Sequence, residues 1–141
     1  MIQDTEQWRP VVGFEGKYEV SDQGRVRSLD RGITYQKIDQ YSGRLITVTK
    51  YMKGQMLRPG TMRSGHQFIV LGRGNGFCVH VLVLTAFVGP CPDGLECCHN
   101  DGDPANNRVG NLRWDTRLAN VHDMMRHRKM YVRKLGDRVH A

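Results

Sequence analysis

The chain has 141 residues and a mass of 16.1 kDa, with 39% hydrophobic and 25% charged residues, which allows one compact core and excludes a large multi-domain enzyme and wholesale disorder. A net charge of +7 and a pI near 9.5 favour a polyanionic partner without choosing among nucleic acid, a membrane surface and plain solubility. No run of about 18 apolar residues occurs, the longest candidate being residues 79–88, and the first four residues lack the features of a signal peptide, so a soluble cytoplasmic protein is expected.

Along residues 8–29, Tyr18 and Val20 are separated from Val26 by Ser21-Asp22-Gln23-Gly24, a turn sequence that predicts a hairpin. Arg25 and Arg27 stand two apart and leave one face of its second strand, with Val26 on the other. Residues 32–60 are polar and basic, with Tyr35, Tyr41 and Tyr51 interleaved, and read as a long loop or arm that orders on nucleic acid. A second hairpin is predicted from residues 66–71 and 77–80 around a glycine-rich turn with Arg73 at its tip. Residues 79–88 are apolar without a period, so strand and helix both fit. After the break at residues 89–94 come short strands at 95–98 and 111–114 around a loop at 99–110. A helix then starts near Arg117, with Asp115 or Thr116 as N-cap and Leu118, Val121 and Met125 as its apolar stripe. Residues 126–141 are basic and expected to fray at the end.

Charge falls in blocks. Residues 1–31 hold five basic against six acidic side chains, and residues 32–76 hold seven basic against Asp39 alone. Residues 77–120 reverse this, with three Arg against Asp93, Glu96, Asp101, Asp103 and Asp115, and residues 121–141 return to six basic against two acidic. Carboxylates, His and Asn gathered between basic flanks suit a cation working on a bound phosphate, as metal-assisted phosphodiester cleavage requires. The four cysteines (Cys78, Cys91, Cys97, Cys98) include no C-x-x-C pair and are expected to be reduced thiols. At 100° per residue, Asn120, Asp123 and His127 fall within an arc of about 60° on the last helix, opposite the apolar stripe. They are candidate metal ligands, although a solvated polar face would give the same pattern.

Three runs carry a family resemblance: Val79-His80-x-Leu82-Val83-x-x-Ala86-Phe87; Cys98-His99-x-Asp101-Gly102-Asp103 with Asn106-Asn107; and Asn111-Leu112-x-Trp114-x-Thr116 with Asn120. They resemble the HNH endonucleases of phage and homing type, which are built on a ββα-metal finger, and residues 8–29 resemble the DNA-binding module that precedes such fingers in homing endonucleases. The resemblance implies an α+β fold of short antiparallel hairpins with a helix at residues 80–87. The expected division is a β-rich DNA-binding region with a basic arm (1–76), a nuclease finger (77–130) and a basic tail (131–141). It implies that His99 is the general base, a role suited to imidazole near neutral pH, that Asn111 bridges the loop backbone and holds His99, and that Asn120 is the helical metal ligand. Asp123 and His127 join it from helix geometry.

Where the family carries Asp or His just before the general base, this chain has Cys98, either a ligand for a softer metal or a residue buried behind the strand. The implied cofactor is Mg²⁺ or Mn²⁺, or Zn²⁺ if the thiolate binds. Expected DNA contacts are Arg25, Arg27, Arg63, Arg73, His80, Arg113 and Arg126, with His80 alternatively supporting the finger. The implied function is hydrolysis of double-stranded DNA, by nicking or double-strand cleavage, to 5′-phosphate and 3′-hydroxyl ends. No membrane partner is expected, a monomer is favoured, and a phage or mobile-element origin would place the protein in the host cytoplasm. The alternative is a non-catalytic DNA-binding protein on a degenerate finger.

Overall fold

A computed structural model describes residues 5–139, with side chains through Arg128. The first sheet is antiparallel, in the order β1 (Trp8–Pro10), β2 (Tyr18–Ser21), β3 (Val26–Ser28). The buried hydroxyl of Ser21 accepts the backbone N–H groups of Gln23 and Arg25, at 3.3 and 3.0 Å, and Gly24 closes the turn at φ 85°, a conformation that favours glycine. Val20 and Val26 enter the core, while the guanidiniums of Arg25 and Arg27 both lie over the Trp8 ring, at 5.7 and 3.9 Å.

The expected loop or arm at residues 32–60 is instead mostly a regular ribbon. Strands β4 (Arg31–Ile38) and β5 (Leu45–Met52) pair over their whole length, from Arg31 opposite Met52 to Ile38 opposite Leu45. Asp39 turns the chain between them by accepting the N–H and hydroxyl of Ser42, at 3.0 and 2.6 Å. Ile33, Thr34, Ile46, Thr47, Val48 and Thr49 supply the β-branched residues that favour extended backbone. The ribbon is exposed on both faces, so no inward-facing alternation marks it in the sequence.

The third sheet has the order β6 (Gly60–Thr61), β7 (Gln67–Leu71), β8 (Asn75–Cys78), with Arg73 exposed at the tip of the β7–β8 hairpin. The second strand of this hairpin ends at Cys78, two residues earlier than expected, and the apolar run is the helix α1 (Val79–Phe87). Val79, His80, Leu82, Val83 and Leu84 are all buried; a helix enclosed on most sides shows no polar face and therefore no period. Its C-terminal end is held by Arg9, which donates to the Ala86 carbonyl at 3.2 Å, and by the Trp114 indole, which donates to the Gly89 carbonyl just beyond it at 3.1 Å. A cation there also complements the helix dipole. The core joins Val20 and Val26 to Ile69, Leu71, Val79, Val83, Leu84 and Leu112, so it runs across residues 76 and 77.

Strands β9 (Leu95–His99) and β10 (Leu112–Thr116) pair antiparallel, with His99 opposite Leu112 and Cys98 opposite Arg113. Asn111 belongs not to the return strand but to the short 3-10 turn Val109–Asn111 that precedes it. Thr116 caps α2 (Arg117–Val139), its hydroxyl accepting the Ala119 N–H at 3.2 Å. The expected apolar stripe of α2 is corrected: Leu118 and Met125 are 65% and 59% exposed, whereas Asp123 is 8% exposed. The helix turns its polar side inward because the sheet face it meets carries Glu96 and Arg113, which bind Asn120 and Asp123. The backbone of α2 continues past residue 131 to Val139, and the side chains of the expected basic tail and its terminal fraying lie outside the described residues. Among those residues, no helix is long and apolar enough to cross a membrane.

Candidate functional site

The loop between β9 and β10 is held by polar contacts. Asn111 Oδ1 accepts the Asp101 N–H at 3.1 Å, and its Nδ2 donates to Asp101 Oδ1 and to the Asn106 carbonyl, both at 2.9 Å. Asp101 also accepts from Asn106 Nδ2 at 2.7 Å and from the Asp103 N–H at 2.8 Å. Burial opposes ionisation of Asp101, but these bonds outweigh it and hold the carboxyl below its ordinary range. Asn111 thus bridges the loop backbone, and the group bonded to the His99 ring is Asn107: Asn107 Oδ1 lies 3.0 Å from His99 Nε2, and Asn107 Nδ2 donates to Gln67 Oε1 at 3.1 Å. Both His99 and Asn107 are buried.

Three imidazoles meet at this point. The ring centroids of His66, His80 and His99 lie 5.1 to 5.4 Å apart, and the Ser64 hydroxyl is 2.9 Å from His66 Nδ1. Burial, reinforced by the two neighbouring rings, pushes His80 down to about 4, and burial followed by His99 lowers His66. His80 is therefore neutral at pH 7, and its buried Nδ1 has no hydrogen-bond partner among the described residues. It sits inside the molecule, away from the position expected of a phosphate contact.

Across the β9–β10 hairpin, α2 presents Asn120, Asp123 and His127 to a cleft of about 370 Å³ that they share with His66, His99 and Gly102. The backbone of Gly102 (φ 74°) approaches the His127 ring so closely that an added Cβ would fall 2.4 Å from Nδ1. Asn120 Nδ2 donates to Glu96 at 2.6 Å, so its Oδ1 is not spent on that bond. Asp123 is ion-paired at one oxygen with Arg113, 2.5 Å, and at the other with Arg126, 2.6 Å. Arg113 is the first cause, and Arg126 a later one, of its lowered carboxyl pKa.

Arg113 also binds Asp115 at 2.9 Å and the Asn100 side chain, so this expected DNA contact is engaged within the finger. Cys98 is 1% exposed, and burial raises its thiol pKa, which keeps it protonated at neutral pH; neighbouring Cys97 is pushed up to about 12. Among the described residues, no three His, Cys, Asp or Glu side chains are arranged to hold a metal ion.

The structure therefore brings His99, Asn120, Asp123 and His127 to one cleft, with Asn111 fastening the loop and Cys98 in the adjoining interior. Arg63 is exposed one residue from Ser64 at the cleft wall, and Arg126 is exposed on α2. Arg73, Arg25 and Arg27 lie on the hairpins; Arg25 is paired with Glu6 and Arg27 with Glu19. Sequence reasoning assigned no role to His66, Gln67 or Asn107. The paired Asn106-Asn107 was a visible signal for the last, but His66 and Gln67 lie over thirty residues before His99 with no local mark.

Two families match the chain: the NUMOD4 motif over residues 6–71 and the HNH endonuclease family over residues 77–122. DNA endonuclease I-HmuI of Bacillus phage SP01 is 34% identical over 119 residues, which cover 84% of this chain and 58% of that protein. The chain thus spans 58% of the length of this curated relative. A solved structure described as DNA binding and cleavage by the HNH homing endonuclease I-HmuI matches with a TM-score of 0.63 and 28% identity, covering 93% of this chain and 68% of that one.

Proposed function

Because the chain carries an HNH endonuclease domain behind a NUMOD4 motif and is homologous to DNA endonuclease I-HmuI, we propose that it is a metal-dependent endonuclease of double-stranded DNA. The observation that carries this reading is the meeting of an imidazole, His99, with the oxygen donors Asn120 and Asp123 in one cleft. These oxygens suit a hard divalent cation, and so small a protein contribution suits Mg²⁺ or Mn²⁺, because such ions keep several waters and take further ligands from substrate phosphate. When bound, the cation would stabilise charge on the scissile phosphate and the leaving 3′ oxygen.

The remaining work falls to the chain itself. His99 accepts a proton from the attacking water, Asn111 keeps the loop at its strand end, and neutral His80 leaves room for the positive charge that His99 gains. Arg113 and Arg126 hold Asp123 as a carboxylate, and a divalent cation bound there would compete with them for its oxygens. The basic ribbon and the exposed Arg63, Arg73 and Arg126 supply contacts to the DNA backbone.

Incubation of the full chain with supercoiled plasmid tests the reading. Nicked or linear product should form with Mg²⁺ or Mn²⁺, disappear with a chelator and return on adding the ion back. A second reading, DNA binding without cleavage, is favoured by the engagement of Asp123 with two arginines. Tight plasmid binding with no product under any divalent ion would establish it.

A further inference from the structure

The residue bonded to His99 is itself held from the other half of the chain. Gln67 lies on β7, forty residues before Asn107, and accepts the Asn107 amide proton at 3.1 Å. The β2–β3 turn closes on the same asparagine: a Cβ built on Gly24 would lie 2.8 Å from Asn107 Cβ, and the Asp22 carbonyl accepts the Val109 N–H at 2.8 Å. Asn107 is only 2% exposed, and its amide stands with the nitrogen towards Gln67 and the oxygen towards His99.

The chemistry of these atoms fixes direction. Because Asn107 uses Nδ2 as donor to Gln67, the atom it offers His99 is Oδ1, which only accepts. His99 Nε2 must then carry the proton, and Nδ1 keeps the lone pair that a general base needs. No hydrogen-bond partner holds that nitrogen among the described residues, and its ring lines the cleft.

We propose that Gln67 and Asn107 form a positioning relay, seated by the β2–β3 turn, that fixes the tautomer and direction of the His99 ring. Residues within the NUMOD4 match thereby complete the HNH site. The relay rests on the reading of His99 as base for its effect on rate, but its effect on the ring is independent of that reading.

The test uses the full chain labelled with ¹⁵N-histidine, the His99 signals being assigned by their loss in His99→Ala. In the wild type, His99 should show a protonated, slowly exchanging Nε2 and an unprotonated Nδ1. Asn107→Leu should lose the slow exchange and nick DNA about 10- to 100-fold more slowly with Kd unchanged, by analogy with the loss on removing the outer partner of a metal-ligating histidine. Asn107→Asp, which still accepts from Nε2, should recover most of both. Gln67→Met at the half-buried outer end should give a smaller loss of the same kind, and it serves if Asn107→Leu does not fold.

A wild-type His99 protonated on Nδ1, or folded variants whose Nε2 exchange matches the wild type, would overturn the relay. So would full nicking by folded Asn107→Leu in an active protein. If the wild type shows the expected ring signature, and the variants lose it, yet no DNA is cut, the relay stands and the endonuclease reading fails.

Discussion

The loop that follows His99 and the ribbon of β4 and β5 are both polar and poor in buried apolar side chains, yet they are fixed in opposite ways. The loop is tied by Asn111, Asp101, Asn106 and Asn107 through side-chain hydrogen bonds of 2.7 to 3.1 Å. The ribbon is held by its own backbone ladder, and its side chains are exposed apart from half-buried Arg31 and Val48. A reacting group must be held to fractions of an ångström, which justifies a costly polar network. A surface for phosphates needs only charge on an ordered frame, since electrostatic attraction tolerates small displacements.

That contrast is broken most widely by salt. If the ribbon and its basic neighbours meet six to ten phosphates, Kd should rise by about 10³- to 10⁵-fold between 50 and 200 mM salt, with little change in the cleavage rate of the saturated complex. Anisotropy titrations read the first quantity and single-turnover nicking the second; a Kd that moves less than about tenfold would remove the phosphate surface.

The reverse separation comes from His99→Ala, which should lower the nicking rate roughly 10²- to 10⁴-fold and leave Kd unchanged. Parallel binding and rate measurements check it, and a rate within about tenfold of wild type would deny His99 its role as base.

A third effect belongs to the interior behind the loop. His80 is held at about 4 by burial and by its His neighbours, against a reference of 6.5, so the unfolded chain takes up its proton first as pH falls. The associated stability is complete above pH 6.5 and is lost on descending towards pH 4, by about 3 kcal/mol at most. Denaturant titrations across this window should show the loss in the wild type and a flatter profile in His80→Phe; equal slopes would place the cause elsewhere. The smallest effect is expected at Cys98. Cys98→Ser should keep Mg²⁺-dependent nicking within about threefold, a difference below 1 kcal/mol in barrier, and a large loss restored by Cys98→Asp would make this position a metal ligand.

The first hairpin was legible because the Ser21–Gly24 turn sits between residues whose burial alternates, and the N-cap of α2 because Thr116 stands where the periodicity begins. The ribbon was not, since strands exposed on both faces leave no period-two signal. Helix α2 misled for a related reason. Apolar periodicity predicts an inward face only when the opposing surface is apolar, and here Glu96 and Arg113 wait for Asn120 and Asp123 instead. Of the candidate site, the helix residues and the segment from His99 to Asn111 are contiguous patterns that sequence can display. The bond from Gln67 through Asn107 to His99 depends on how β7 packs beside the loop, and spacing along the chain does not encode it.

The ribbon is a sheet of two strands, and each has an open edge. Unpaired backbone groups along such an edge can template a strand from another molecule. Lys37, Arg44, Lys50 and Lys53, in or beside the two strands, set like charges where two copies would meet. Ionic strength therefore acts on this element twice. Screening over a Debye length of about 8 Å at physiological salt would weaken the proposed hold on a polyanion and also weakens the repulsion that keeps copies apart. On the proposed function, the conditions that release the protein from DNA are thus those that bring it closest to self-association, and its colloidal behaviour and its affinity would share the same few cations.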